Sequence, residues 1–270
     1  MSSAGVVTLL TDFGTKDPFV GVMKAVMLGV CPTLGFVDFT HELAPGDVDA
    51  AAFWLEKSYG YAPPGSVHLA VVDPGVGTER AAVVLEVGAH VFVGPDNGLF
   101  GAVLRAARAQ GLETRAWRLD VETLRSRLGR TEPPSRTFHG RDVFAPAAAL
   151  VAASTPPRDL GSSIDTDELV LLPPLSEPRV VVVDRFGNLI SDVPVALGQA
   201  PRVEIGGRAL RWVGTYGEAA PGECVALRGS FETVEIAVRD GSAAARLGAA
   251  AGATLSVNFA APPAFPSTKR

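Results

Sequence analysis

The run Val71-Val72-Asp73-Pro74-Gly75-Val76-Gly77-Thr78-Glu79-Arg80 halts an apolar stretch, Leu69 to Val72, with a carboxylate, a proline and two glycines. That pattern predicts a buried strand running into a tight turn, with Asp73 at the strand's carboxyl end. In open α/β sheets, ligands bind at the carboxyl ends of the strands. Pro74 removes a backbone donor, and Gly75 and Gly77 permit positive φ. Asp73 and Arg80 stand seven residues apart across the turn, close enough to pair. A structural staple and a ligand site are both open readings of that pair.

Working outward, the same punctuation recurs. Val6 to Leu10 predicts a first strand that stops at Thr11-Asp12-Phe13-Gly14, again with an aspartate at the end. Asp12 could equally cap the helix that follows. Phe19 to Val30 spaces Val20, Met23, Met27 and Val30 along one helical face, with Pro32 beyond. Leu34 to Phe39 predicts a strand with His41-Glu42 after it, and Asp47 to Tyr59 a helix carrying Trp54. His68 to Val72, Ala81 to Val87 and Val91 to Val93 predict further strands, the last meeting Gly94-Pro95-Asp96-Asn97-Gly98. Phe100 to Ala109 follows as a helix and Thr114 to Leu119 as a strand. Thr137-Phe138-His139-Gly140-Arg141-Asp142 leads into an alanine-rich helix, Ala147 to Ala153. His139 there reads either as a structural histidine or as part of a site.

Prolines cluster between residues 155 and 175, and beyond them helical patterns nearly vanish. Arg179 to Val183, a hairpin over Gly206-Gly207, Cys224 to Leu227, Val234 to Val238 and Thr254 to Asn258 predict short strands, with one helix at Ser242 to Ala251. The expected fold class is α/β. Residues 1–165 form an N-terminal α/β domain with a largely parallel central sheet, and residues 175–270 a smaller, antiparallel, β-barrel-like domain.

Composition narrows the function classes. With 47% hydrophobic and 20% charged residues in 270, the chain can bury a sizeable core. A net charge of −5 and the absence of any Lys/Arg run argue against a nucleic-acid partner. Cys31 and Cys224 have no ligand spacing, which points to two ordinary buried thiols. No leader and no apolar run of membrane-spanning length is found, so a soluble, cytoplasmic protein without a membrane partner is expected. The Pro-rich tail, residues 260–270, reads as loose.

Taken in order, T-D-F-G (Thr11–Gly14), V-V-D-P-G-V-G-x-x-R (Val71–Arg80), G-P-D-N-G (Gly94–Gly98), T-F-H-G-R-D-V-F-A-P (Thr137–Pro146), D-R-F-G-N (Asp184–Asn188) and V-E-I-A-V-x-x-G-S-A-A (Val234–Ala244) resemble the S-adenosylmethionine hydroxide adenosyltransferases. The likeness covers almost the whole chain. It implies an enzyme that splits S-adenosylmethionine, its small-molecule substrate, into adenosine and methionine without a metal or other cofactor. It also implies a homotrimer with active sites between one subunit's N-terminal domain and a neighbour's C-terminal domain. By motif position, Asp73, Arg80 and His139 would surround the attacking water. Halide-using relatives carry other residues, typically Tyr, at the Asp73 and His139 positions, so their retention favours water.

The same resemblance implies substrate contacts. Asp12 would accept from the ribose hydroxyls, Trp54 would wall the ribose and sulfonium, Phe186 and Asn188 would meet adenine, and Asp184 and Ser230 would hold the methionine end. Two departures stand out. Asp184 lies one residue nearer Phe186 than in the halide-using relatives, and Asp192 stands where Asn is expected. Three alternatives remain: a halide-dependent adenosyltransferase, a metal-dependent hydrolase built on Asp12, His41, Asp73 and His139, and a non-catalytic S-adenosylmethionine sensor. His139, with an ordinary pKa near neutrality, is the expected proton acceptor or relay.

Overall fold

A computed structural model describes residues 4–173 and 176–259. The predicted tail at 260–270 lies outside the described residues. The chain divides after Pro173 into two compact units.

The first unit carries β1 (Val6–Thr11), α1 (Phe19–Val30), β2 (Gly35–Thr40), α2 (Val48–Ser58), β3 (Val67–Val71), β4 (Ala82–Val87), β5 (His90–Pro95), α3 (Gly101–Ala109), β6 (Thr114–Leu119), α4 (Val121–Arg127), α5 (Ala145–Ala152) and β7 (Gly161–Ile164). Its strands form one sheet in the order β2-β1-β3-β5-β4-β6-β7. The pairs β1–β2, β1–β3 and β3–β5 are parallel, whereas β4 runs against β5 and β6, and β7 against β6. Five of the seven strands therefore point one way, and the expected α/β class with a mostly parallel sheet holds.

Strand alternation splits the core in two. Val7, Leu9, Val67, Leu69 and Val71 face the layer that includes Met23, Met27, Ala148 and Phe144. Leu10, Ala70 and Val72 face the layer that includes Ala51, Leu55, Val103 and Leu104. Helices α1 and α5 cover one face and α2 and α3 the other, which is why β3 reads as a continuous apolar run. Helix α1 buries Val20, Met23 and Met27, the predicted face. Helix α2 starts where the Asp47 carboxylate accepts from the Ala50 N–H at 2.9 Å.

The sheet also fixes where a ligand can sit. From β1 the chain passes to β2 on one side, while β3 lies on the other side of β1. That reversal opens a crevice at the carboxyl ends of β1 and β3, where Asp12 and, after Val72, Asp73 follow. Strand β4 runs back from the same end, so Arg80, two residues before it, returns to Asp73. Gly77, at φ +77°, is demanded twice: its backbone is left-handed, and a Cβ there would overlap the Arg136 carbonyl oxygen.

The second unit holds β8 (Val180–Val183), β9 (Leu189–Pro194), β10 (Arg202–Ile205), β11 (Arg208–Trp212), β12 (Cys224–Arg228), β13 (Thr233–Val238), α6 (Ala243–Leu247) and β14 (Leu255–Asn258). Its sheet runs β14-β10-β11-β12-β13-β9-β8, antiparallel except for β11–β12. The two edges meet: Arg179 bridges Thr254, Val180 N–H donates to Ala253 O at 2.8 Å, and Leu255 N–H donates to Pro178 O at 2.8 Å. The sheet thus curls toward a barrel around Val180, Leu189, Val203, Ala226 and Ile236. Helix α6 is shorter than Ser242 to Ala251 because Gly248, at φ +62°, ends it in a left-handed cap.

Candidate active site

Three side chains from two separate motifs, Val71–Arg80 and Thr137–Pro146, meet at the crevice of the first unit. Arg80 Nε donates to Asp73 Oδ1 at 3.0 Å, and Arg80 Nη2 donates to Asp73 Oδ2 in a short second bond. This bidentate fork fixes both groups in one plane. Their side chains are only 5% (Asp73) and 8% (Arg80) exposed, so the pair is desolvated. Nη2 also donates to His139 Nδ1 at 3.1 Å, and Nη1 to the Ala81 carbonyl at 3.2 Å. Beneath the guanidinium lies the buried ring of Phe144, 5.1 Å from Cζ to the ring centroid.

His139 stands immediately before a π-helical turn, Gly140–Phe144, which joins α5. Such turns recur at functional sites because the extra residue re-aims the side chains around it. Here the turn buries Phe144 under Arg80 while His139 reaches the guanidinium's edge. Because guanidinium is a donor only, Nδ1 of His139 accepts, and a neutral ring carries its proton on Nε2. Burial, and then the Arg80 charge, push the His139 pKa below its ordinary value. The neutral ring is therefore the form present near pH 7.

A cavity of about 140 Å³ opens beside this set, lined by Asp73, His139, Phe13, Phe19, Phe138 and Val76 among others. Phe13, Phe19 and Phe138 pack edge to face, with centroids 5.3 to 6.0 Å apart. An apolar wall facing a charged pair limits the water that reaches it. The G-P-D-N-G loop supports the site from β5: Asn97 Nδ2 donates to the Val72 carbonyl at 2.8 Å, next to Asp73.

Asp12 follows β1 directly, and its Oδ2 accepts from Gly46 N–H at 2.8 Å, leaving Oδ1 with no protein donor among those found for the described residues. Trp54 lies on α2, half-buried against the α2–α3 core layer and edge-on to Phe53 at 5.4 Å. In the second unit, Asp184 Oδ1 accepts from Phe186 N–H (2.8 Å) and Asn188 N–H (2.9 Å), and Oδ2 from Asn188 Nδ2 (3.0 Å). Asp184 thus staples the β8–β9 turn that presents Phe186, 71% exposed. Ser230 is exposed in the β12–β13 turn. Asp192 Oδ1 accepts from Arg179 N–H at 2.9 Å, which gives the unexpected aspartate a place at the barrel seam.

Sequence reasoning missed one group. Glu235, 6% exposed on β13, receives a short hydrogen bond from the Tyr216 hydroxyl. Burial, and then the nearby Asp184 charge, raise its pKa. Its signal was present: a lone glutamate between Val234 and Ile236 in an otherwise apolar strand. The four residues of the metal alternative do not converge. His41 points both ring nitrogens at Thr11 and Asp38, and among the described residues no three His, Cys, Asp or Glu side chains are grouped to hold a metal.

Residues 7–161 match the family model "SAM hydroxide adenosyltransferase N-terminal domain", and residues 178–256 match its C-terminal domain. A protein named (R)-S-adenosyl-L-methionine hydrolase from Thermus thermophilus is 43% identical over 260 residues, covering 90% of this chain and 95% of its own length. A fluorinase from an Actinoplanes species is more distant, 25% identical over 61% of this chain. The crystal structure of an uncharacterized conserved protein from Thermotoga maritima superposes with a TM-score of 0.83 at 31% identity, over 93% of this chain and 99% of its own.

Proposed function

The chain belongs to the SAM hydroxide adenosyltransferase family, and on that premise we propose that it hydrolyses S-adenosyl-L-methionine to adenosine and L-methionine by attack of water at the ribose C5′. The relatives' names specify the (R) configuration at sulfur, which the sequence alone did not, and the proposed substrate carries it. The observation that carries the reading is the buried Asp73–Arg80 pair with the half-buried His139 against it at the sheet's switch point, inside the matched region.

The chemistry follows from what the substrate lacks and what the residues supply. The sulfonium departs as a neutral thioether, so no general acid is needed. The weak partner is water. Arg80 holds its charge at all relevant pH, so it orients the nucleophile and stabilises hydroxide character but takes no proton. The expectation that His139 takes the proton meets an obstacle: its Nδ1 lone pair is occupied by Arg80. In this arrangement His139 offers Nε2–H, which holds the nucleophile's oxygen by donation. Asp73 retains unused lone pairs beside its two bonds to Arg80 and is assigned the proton released as the C–O bond forms. Alignment of oxygen, carbon and sulfur supplies much of the remaining acceleration.

Asp12 is assigned the ribose diol, through the oxygen that Gly46 leaves free. Trp54 walls the ribose and sulfonium, Phe186 and Asn188 meet the adenine, and Ser230 the methionine end. Asp184 contributes chiefly by fixing Phe186 and Asn188. The enzyme is proposed to act as a homotrimer in the cytoplasm, without a metal. Among the described residues no helix is long and apolar enough to cross a membrane.

The test incubates purified protein with each sulfonium epimer, with and without chloride and EDTA, and separates the products by chromatography. Adenosine plus methionine from the (R) epimer, unaffected by either addition and reduced roughly 10²–10³-fold in Arg80→Ala and His139→Ala, supports the reading. A 5′-halo product, inhibition by EDTA, or binding without turnover would each replace it.

A further inference from the structure

His41 is the one buried histidine beside the crevice that the reaction does not use. Its side chain is 4% exposed, and it follows the carboxyl end of β2, next to β1. Its Nε2 lies 3.0 Å from Asp38 Oδ1, and its Nδ1 lies 2.8 Å from Thr11 Oγ1. Asp38 is held from its other oxygen by Lys24 Nζ at 2.6 Å.

A carboxylate only accepts, so His41 Nε2 carries a proton and donates to Asp38. With the ring neutral, Nδ1 accepts and the Thr11 hydroxyl donates to it. The lone pairs of Thr11 Oγ1 are left to accept from Phe13 N–H, at 3.3 Å. Thr11 is fully buried, so no water can substitute for a lost partner. The His41 carbonyl also accepts from Gly14 N–H at 2.7 Å. His41 therefore grips the Thr11-Asp12-Phe13-Gly14 loop on both sides of Asp12. The same loop carries Phe13, part of the apolar wall beside His139.

We propose that His41 is a positioning residue that aims the Asp12 carboxylate at the ribose hydroxyls, through Thr11 on one side and Gly14 on the other. It rests on the ribose role assigned to Asp12 above. Removing the ring leaves the Thr11 hydroxyl without its acceptor, releases one side of the loop, and costs the substrate a charge-assisted hydrogen bond.

Titration calorimetry on the full chain, with adenosine and 2′-deoxyadenosine as probes, reads this without depending on turnover. Wild type should prefer adenosine by about 10- to 100-fold. His41→Leu should lose most of that preference, binding adenosine more weakly while 2′-deoxyadenosine changes little. Thr11→Val, which cuts the same chain without touching Asp38, should do likewise. His41→Gln, with an amide that can donate to Asp38 and accept from Thr11, should recover much of it. An undiminished preference in folded His41→Leu or Thr11→Val overturns the positioning role, as does failure of both variants to fold, which would make the contact purely structural. Equal affinities in wild type would instead remove the ribose role of Asp12, and this inference with it, while leaving the hydrolysis assay to stand or fall by itself.

Discussion

Breaking the Asp73–Arg80 pair from one side should unfold the first unit far more readily than removing it whole. The two side chains are 5% and 8% exposed and share two hydrogen bonds. Asp73→Leu leaves the guanidinium in contact with the Ala81 carbonyl, His139 Nδ1 and the Phe144 face, none of them an anion. The Asp96 carboxylate acts on it through space, without a hydrogen bond to it among the described residues. An uncompensated charge at such a site costs about 3–5 kcal/mol. For a unit of this size that lowers the melting temperature by roughly 6–20 °C, at about 2–4 °C per kcal/mol. Arg80→Met strands the Asp73 carboxylate and should cost a similar amount. The double variant Asp73→Leu/Arg80→Met removes both charges, and apolar replacement of a buried pair is often close to neutral. Scanning calorimetry of the four proteins gives the coupling directly. Activity should fall at least about 10²-fold in all three variants, so stability and turnover separate in the double variant. If the double variant is as unstable as the sum of the singles, the pair is not the desolvated unit described here.

Other consequences are accessible to simple measurements. Because burial and Arg80 lower the His139 pKa and the neutral ring is required, kcat/KM should stay flat from neutrality down past pH 6.5 and fall only in more acid solution; an acid limb above 6.5 contradicts this. His68 is fully buried between Thr8 and His90, stacked on Phe92, and its pKa is lowered to about 3. The unfolded chain binds a proton there below about pH 6.5 and the folded chain does not, so its contribution is full above that pH and is lost on acidification, by up to about 1.4 kcal/mol per pH unit; His68→Phe should flatten urea-melt stability between pH 6 and 4. Gly187 sits at φ +82°, and a Cβ there would overlap Ser242 Oγ, so Gly187→Ala should destabilise the second unit by about 1–3 kcal/mol in thermal melts and weaken adenosine binding by disturbing Phe186 and Asn188.

The sequence revealed those features that local chemistry dictates. Asp73 and Arg80 could be paired on paper because a proline and two glycines force a return over seven residues. The face of α1 and the Gly206-Gly207 hairpin were equally plain, since periodicity and positive-φ residues mark them. What escaped depended on distant partners. Strand β7, Gly-Ser-Ser-Ile, has little strand propensity and exists because β6 offers it an edge. Strand β9 was hidden by Asp192 and Pro194, and α4 buries only Leu124, too little for a pattern. That His139 lies against Arg80, 59 residues earlier, required the π turn, which no residue type announces. The tautomer that makes His139 a donor, and the burial of Glu235 under Tyr216, likewise follow only from three-dimensional neighbours.

The most direct test of the central claim is to run the reaction in H₂¹⁸O and locate the label by mass spectrometry. Attack of water at C5′ predicts one ¹⁸O in the 5′-hydroxyl of adenosine and none in methionine. Unlabelled adenosine, or label in an amino-acid product released together with 5′-methylthioadenosine, would contradict the assignment of Asp73, Arg80 and His139 to a water nucleophile at that carbon.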